Sequence, residues 1–282
     1  MSNGELKILS TENQYIKYKY TYGGNDYIIH TFLTRPKSSQ SIAPAIYTTK
    51  TPLANMNPAP VAANKVICKI NGCMYEYNKN QFYGFFYQGE GYPMYFNQTP
   101  YYSVPDSHAM YSTRDYWPSF CVKKDGTATI RWFESAAKLR IAIAACRSII
   151  GSVHPLVYNG SCVMNQRVYD TEQSNTLIYD PQGTITNVRF KSSAGDPFGK
   201  QKRTLLGHLD GISGFYLMAC AETPMTIKVA ANFMQDVNCD YAVALDGGSP
   251  SEMRIKDGYG PSGKVTPGGG LSLHTAVCAY LL

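Results

Sequence analysis

The chain has 282 residues, 44% of them hydrophobic and 16% charged, which excludes a disordered chain, since disorder needs low hydrophobicity and high net charge. A net charge of +6 favours anionic partners, yet no dense Lys/Arg run marks a nucleic-acid-binding domain and no segment of about 18 apolar residues marks a membrane span. Eight cysteines without a CxxC pair, several inside apolar runs, point to buried reduced thiols and not to a disulfide scaffold.

The first twenty residues have no apolar h-region, so no secretory signal is expected, and a cytoplasmic or a phage- or virus-encoded product fits. Tyr15 to Tyr20 alternate as a strand does. Gly23-Gly24-Asn25-Asp26 then reads as the turn of a hairpin into Tyr27-Ile28-Ile29-His30. Residues 36–64 are rich in Pro, Ser, Ala and Asn and read as a linker, the best domain boundary. Val66 to Ile70 is a strand closed by Asn71-Gly72, and aromatic-rich short strands and turns fill 73–120. Lys123-Lys124-Asp125-Gly126 turns a hairpin between Ser119–Val122 and Thr127–Phe133.

The Ala-rich segment Ser135–Ile150 reads as partly helical, and Pro155 to Gly160 as a strand ending in a second Asn-Gly. Residues 161–202 are polar and loop-rich. Arg203 to Gly207 opens a new strand, and Asp210-Gly211 turns it into Gly214–Cys220. The best helix follows, with Thr223 as N-cap, Pro224 at the first position, and Ile227, Ala230, Met234 and Val237 on one face. A Gly/Pro-rich loop over 258–270 leads to a last strand, Leu271–Leu282. The expected fold is α+β: a mixed, β-dominated sheet domain with few helices over 61–282, preceded by a small β-rich extension or arm over 1–60. The 23 tyrosines suit half-buried sheet faces, and also surfaces that stack on sugars or bases.

Tyr241 to Met253, YAVALDGGSPSEM, is the most informative stretch. An apolar run ends in the carboxylate of Asp246, followed by Gly247, Gly248, Ser249 and Ser251. Ligands collect at strand ends in layered α/β folds. Other chemistries lack their signatures. There is no GxSxG elbow, no HExxH, no zinc-type Cys/His spacing, no EF-hand loop, and no Walker A or GxGxxG before a helix. No cofactor and no structural metal are expected, and a divalent cation at the acidic loop stays open.

The order NGCMYE, PLVYNG, RTLLGHLDG, a helix and then AVALDGGSPSEM resembles the phosphodiester glycosidase family over roughly residues 65–282. Asn71-Gly72 with Tyr75-Glu76, then Arg203-Thr204 with Gly207, then Leu245 to Gly248 with Ser251 carry the likeness. The chain departs from the family at Ser249-Pro250, at Cys73-Met74, and before its last strand, where His274 stands nearest to the family's arginine.

The resemblance implies hydrolysis of a sugar 1-phosphodiester at its anomeric C–O bond. The leaving group is already anionic and positive charge develops on the sugar ring, as in other glycosidases. Asp246 is then the carboxylate that stabilises that charge. Arg203 is the guanidinium for the phosphate, with Thr204 beside it. Gly247, Gly248, Ser249 and Ser251 line an anion-binding turn. Asn71 orients a sugar hydroxyl or the phosphate, and Glu76 or His208 moves a proton. Each has a plainer alternative: Asp246 and Asn71-Gly72 as ordinary turns, Arg203 as a surface ion pair, Glu76 as a solvated acid, His208 as structural, the serines as loop residues.

Two ligands fit: a glycosyl phosphodiester on a cell-wall or surface glycopolymer, and a nucleotide-like small molecule with a ribose–phosphate linkage. The rival class is a non-catalytic module that holds such a ligand, in a phage tail or as a sequestering protein. Neither nucleic acid nor membrane is an expected partner. A homo-oligomer or a phage particle stays open.

Overall fold

A computed structural model describes residues 4–34, 40–73, 75–76, 81–82, 84–106, 118–131, 133, 135–151, 154–163, 176–177, 190–191, 199–209, 215–266 and 270–282, with the backbone alone at 75–76, 81, 176–177 and 190–191. The Asp210-Gly211 turn and most of 161–202 lie outside that set.

The chain opens as a meander of β1 (Glu5–Glu12), β2 (Tyr15–Tyr22) and β3 (Asn25–Leu33). Gly23 and Gly24, at φ 56° and 76°, make the expected hairpin turn, whose left-handed backbone suits glycine. The linker expected at 36–64 is instead occupied by β4 (Gln40–Pro52). The Pro and Ser content there hides a strand, and Pro44 is tolerated because β4 is a sheet edge. β5 (Val66–Asn71) follows, then the short pairs β6 (Tyr75–Glu76) with β7 (Gln81–Phe82), and β8 (Phe85–Tyr87), β9 (Met94–Phe96) and β10 (Thr99–Tyr101).

β11 (Ser119–Lys123) and β12 (Ala128–Arg131) form the hairpin expected at Asp125-Gly126. Helix α1 (Ala136–Ala145) fills only the first part of the Ala-rich segment, capped by the Ser135 side chain. The remainder is β13 (Cys146–Ile150), which pairs with β11 and β8 and buries Ile149 and Ile150. β14 (His154–Tyr158) turns through Asn159-Gly160 into β15 (Ser161–Cys162), and β16 (Thr176–Leu177) pairs with β17 (Phe190–Lys191). β18 (Thr204–Leu209) and β19 (Tyr216–Ala221) lead to helix α2 (Ile227–Asp236).

The α2 N-cap is Thr226, not Thr223. Met225 is held extended by two backbone bonds to Gln201, and the Thr223 hydroxyl accepts from the Ile28 N–H instead. The helix therefore cannot start until the chain is released from Gln201. β20 (Cys239–Ala244), β21 (Met253–Ile255), β22 (Gly263–Lys264) and β23 (Ser272–Leu281) complete the chain.

The large sheet runs β1-β2-β3-β19-β18-β20-β14-β15, so the N-terminal meander continues the sheet that carries the Asp246 strand. A second runs β22-β21-β5-β23-β4, and a third β10-β9-β8-β13-β11-β12. The described ladders are antiparallel, and the molecule is β-dominated. One buried cluster, with Phe32, Leu206, Met218 and Val243 from the large sheet, Ile70 and Val277 from the second and Phe120 and Ile130 from the third, joins all three. The other face of the large sheet is covered by α2, whose Phe233 packs edge-on against Tyr20 at 5.5 Å. All eight cysteines are free and buried.

Candidate functional site

Asp246 stands where the chain leaves one sheet for another. β20 pairs with β18 up to Ala244, and the Leu245 N–H still donates to the Thr204 carbonyl at 2.8 Å. The next amide, of Asp246, donates instead to the Gly72 carbonyl at 3.0 Å, at the end of β5. The chain then loops through 247–251 and joins β5 again as β21, with the Asn71 N–H donating to the Glu252 carbonyl at 3.3 Å. The apolar run and its DGG ending are thus the stitch between the large sheet and the second sheet.

Two glycines make the stitch possible. A Cβ on Gly247 would lie 2.7 Å from the Lys202 carbonyl, and Gly248 has φ 75°. Their N–H groups are committed: Gly247 donates to Asp246 Oδ1 at 2.9 Å and Gly248 to the Lys202 carbonyl at 2.8 Å. The loop therefore braces Asp246 with its amides and does not turn them outward as an anion nest. Ser249 is exposed at the tip. Ser251 is buried, with an Oγ that has no hydrogen-bond partner among the described residues.

Asn71 and Thr204 face the protein, not a ligand. Asn71 Nδ2 donates to the Asp246 carbonyl at 2.7 Å, while Asn71 Oδ1 accepts from Thr204 Oγ1 at 2.6 Å and from the Glu252 N–H at 3.1 Å. Both residues are fully buried. Their task is to fix the backbone that carries Asp246, in place of the ligand contact read from the sequence.

The carboxyl of Asp246 is held in a poorly solvated position. Burial pushes its pKa from 3.8 up to about 7, against the opposing pull of the Gly247 N–H and the Arg203 charge. Arg203 is 4% exposed and is no surface ion-pair residue. Its Nε donates to the Met225 carbonyl at 3.2 Å and its Nη2 to the Gly199 carbonyl at 2.8 Å. Its charge also reaches His154, whose pKa falls to about 3, chiefly through burial, so that His154 is a neutral imidazole.

Three residues join the site that sequence reading did not select. Cys73 Sγ lies 3.2 Å from Thr275 Oγ1, and the Cys73 N–H donates to that same hydroxyl at 3.1 Å. Burial raises the Cys73 thiol pKa; the Thr275 hydrogen bond opposes this, and the Asp246 charge adds to it. Glu252 is 2% exposed and accepts from Arg254 Nε and the Gly270 N–H. Thr275 and Cys73 are 202 residues apart, so no local pattern announces their meeting; Glu252 sits inside the SEM of the motif and was legible there.

His208 does not reach Asp246. It sits four residues beyond Thr204 along β18, about 13 Å away at the usual rise per residue. Its Nδ1 pairs with Asp240 Oδ1 at 2.8 Å and its ring packs edge-on against Tyr216 at 5.4 Å. Glu76 lies on β6, and its side chain is outside the described residues. His274 is buried, with Nδ1 3.1 Å from the Tyr47 carbonyl and its ring 6.2 Å from that of Phe82.

The approach of β5 to β23 beside Asp246 depends on Gly72. A Cβ there would lie 2.5 Å from Thr275 Oγ1 and 2.7 Å from the Thr275 carbonyl carbon. Gly72→Ala is expected to cost about 1–3 kcal/mol, as overpacking does. Urea unfolding would measure it, and a variant as stable as wild type would show that the strands part freely.

The sequence profile of the phosphodiester glycosidase family matches residues 64–279. No curated protein matches in sequence. Among solved structures, the fold is similar to the zebrafish N-acetylglucosamine-1-phosphodiester alpha-N-acetylglucosaminidase catalytic domain auto-inhibited by its pro-peptide, with TM-score 0.62 and 15% identity over 99% of this chain and 88% of that one. It is also similar to a hypothetical protein from Synechocystis, with TM-score 0.54 and 12% identity over 99% of this chain and 64% of that one.

Proposed function

The chain belongs to the phosphodiester glycosidase family, and from that membership we propose that it hydrolyses a sugar 1-phosphodiester at the anomeric carbon. The anomeric C–O bond breaks, and its electron pair leaves with the phosphate oxygen. Water supplies the new hydroxyl and gives up a proton. A free sugar and a phosphomonoester result. Positive charge grows on the sugar ring as the bond lengthens. Asp246 in its ionised form stabilises that charge, and its poor solvation strengthens the effect. The Arg203 charge favours that ionised form.

The observation that carries this reading is the Asp246 carboxyl itself, braced at the junction of two sheets and tuned to about 7. Such tuning is common where a carboxylate works for a reaction. The rival reading is a module that holds such a ligand without turning it over; the named donors of Arg203, Gly247 and Gly248 are spent on protein oxygens and favour neither reading. Incubation with a panel of sugar 1-phosphodiesters and ribose-phosphate nucleotides, followed by mass spectrometry, separates the two. Product formation supports the enzyme, and a ligand retained through desalting without any product supports the module.

The pH profile tests the role of Asp246. Activity is expected to rise through pH 7 and level off above it, because the ionised form is the working one. A profile that falls through pH 7 would make Asp246 a proton donor and overturn the assignment.

A further inference from the structure

Three cations stand in register across three strands of the second sheet. Arg254 on β21 is directly opposite Lys69 on β5 and, on its other side, directly opposite Lys264 on β22. Lys256, two residues beyond Arg254, joins Lys69 and Arg254 in lining a cavity of about 400 Å³. The nearby carboxylates are Glu252, which accepts from Arg254 Nε, and Asp257 at the cavity wall.

Like charges placed directly opposite destabilise a strand pair, and here two such pairs share Arg254. Protection of a sheet edge accounts for Lys264, since edge lysines block edge-to-edge pairing. It does not account for Lys69, which is partly buried on β5 with β21 and β23 on either side; its ammonium donates to the Ala54 carbonyl at 2.7 Å, as that of Lys256 donates to the Asn64 carbonyl, and each keeps two further protons. Burial, with the Arg254 charge beside it, holds the Lys69 pKa below its usual value, although the Cys278 thiol opposes this. Glu252 and two backbone carbonyls offset part of that cost, and the ammonium protons that remain suit an anionic ligand.

The stripe adjoins the Asp246 loop. Asn71 lies two residues from Lys69 on β5, and Glu252 two residues from Arg254, about 7 Å in each case. Asn71 is the residue that holds the Asp246 carbonyl. We propose that the Lys69–Arg254–Lys264 stripe, with Lys256, is a secondary binding platform for a chain-like polyanion, a glycan joined through repeating phosphodiesters, one unit of which is presented to Asp246. The proposal rests on the glycosidase reading of the Asp246 site and selects the polymer over the nucleotide-like molecule. A ligand with one phosphate, seated at Asp246, leaves the row unengaged; a chain engages the whole row and gains by counterion release.

The test uses Asp246→Asn protein and fluorescent linear poly(glycerol phosphate), titrated at low and at physiological salt. In that background, Lys256→Gln/Lys264→Gln replaces two exposed residues, and Lys69→Gln serves as an independent second variant. Binding is expected to weaken about tenfold at low salt in the double variant, with a shallower salt dependence. With Asp246 restored, turnover of a single-unit sugar 1-phosphodiester by the double variant is expected to be unchanged. Equal polymer binding in all variants overturns the platform. So does a single-stranded oligonucleotide of equal charge that binds as tightly as the polymer. If no sugar phosphodiester is cleaved by wild type while polymer binding still depends on these lysines, the glycosidase reading fails and the platform stands.

Discussion

Asp246→Asn is expected to lower turnover by about a hundredfold to a thousandfold and, at pH 8, to melt at a higher temperature than wild type. The two effects have one cause. The folded-state pKa of Asp246 is raised from 3.8 to about 7, so between those values the folded chain holds a proton that the unfolded chain has lost. Stability therefore falls as pH climbs through that window and is level above it. Asparagine keeps an oxygen for the Gly247 N–H and carries no charge. Its advantage is absent below about pH 4, grows to about pH 7 and is full above, on the order of 2–4 kcal/mol at most. Thermal melts at pH 3.5 and pH 8, with turnover at pH 8, check both halves. A variant that melts below wild type at pH 8 would show that the carboxylate sits comfortably in the fold, and would remove the reason for placing catalytic work there.

Asn71→Ala is expected to be the most destabilising change in the site. It strands the Asp246 carbonyl and the Glu252 N–H and leaves the Thr204 hydroxyl only the Cys220 Sγ at 3.7 Å. Each buried group without a partner costs about 1–3 kcal/mol, and because the three share one network the sum is sub-additive, about 3–5 kcal/mol. Chemical denaturation measures the loss. Asn71→Asp separates positioning from plain stability. It keeps an acceptor for Thr204 and Glu252 but loses the donor to Asp246 and adds a negative charge close by. The midpoint of the pH–rate profile should then move above 7, since a like charge disfavours ionisation of Asp246. An unmoved midpoint would reduce Asn71 to a structural residue.

Asp246 was legible because its signal is local: an apolar strand, an acid and two glycines in succession. Asn71 and Thr204 were legible as positions but not in their roles, because their side chains meet each other across 133 residues of sequence. Thr275 left no trace and Cys73 showed only as a departure from the family pattern, since each looks like ordinary strand or turn material until β23 is laid beside β5. His208 shows the opposite failure: its sequence neighbourhood matched the motif, but four residues of extended chain carry it out of reach. β4 was hidden by prolines that only an edge strand accepts, and β13 by the alanines that precede it. In both cases pairing with distant strands decided the structure over local composition.

β23, drawn from residues 272–281, lies between β4 and β5, which come from residues 40–52 and 66–71. During synthesis the two early strands therefore wait, each with an open hydrogen-bonding side, until about two hundred further residues have been made. Their gap attracts any passing strand, from this chain or a neighbouring one. The protein should thus depend on chaperones while it is being translated, and nonsense mutations that remove β23 should yield aggregates and not a merely weakened fold.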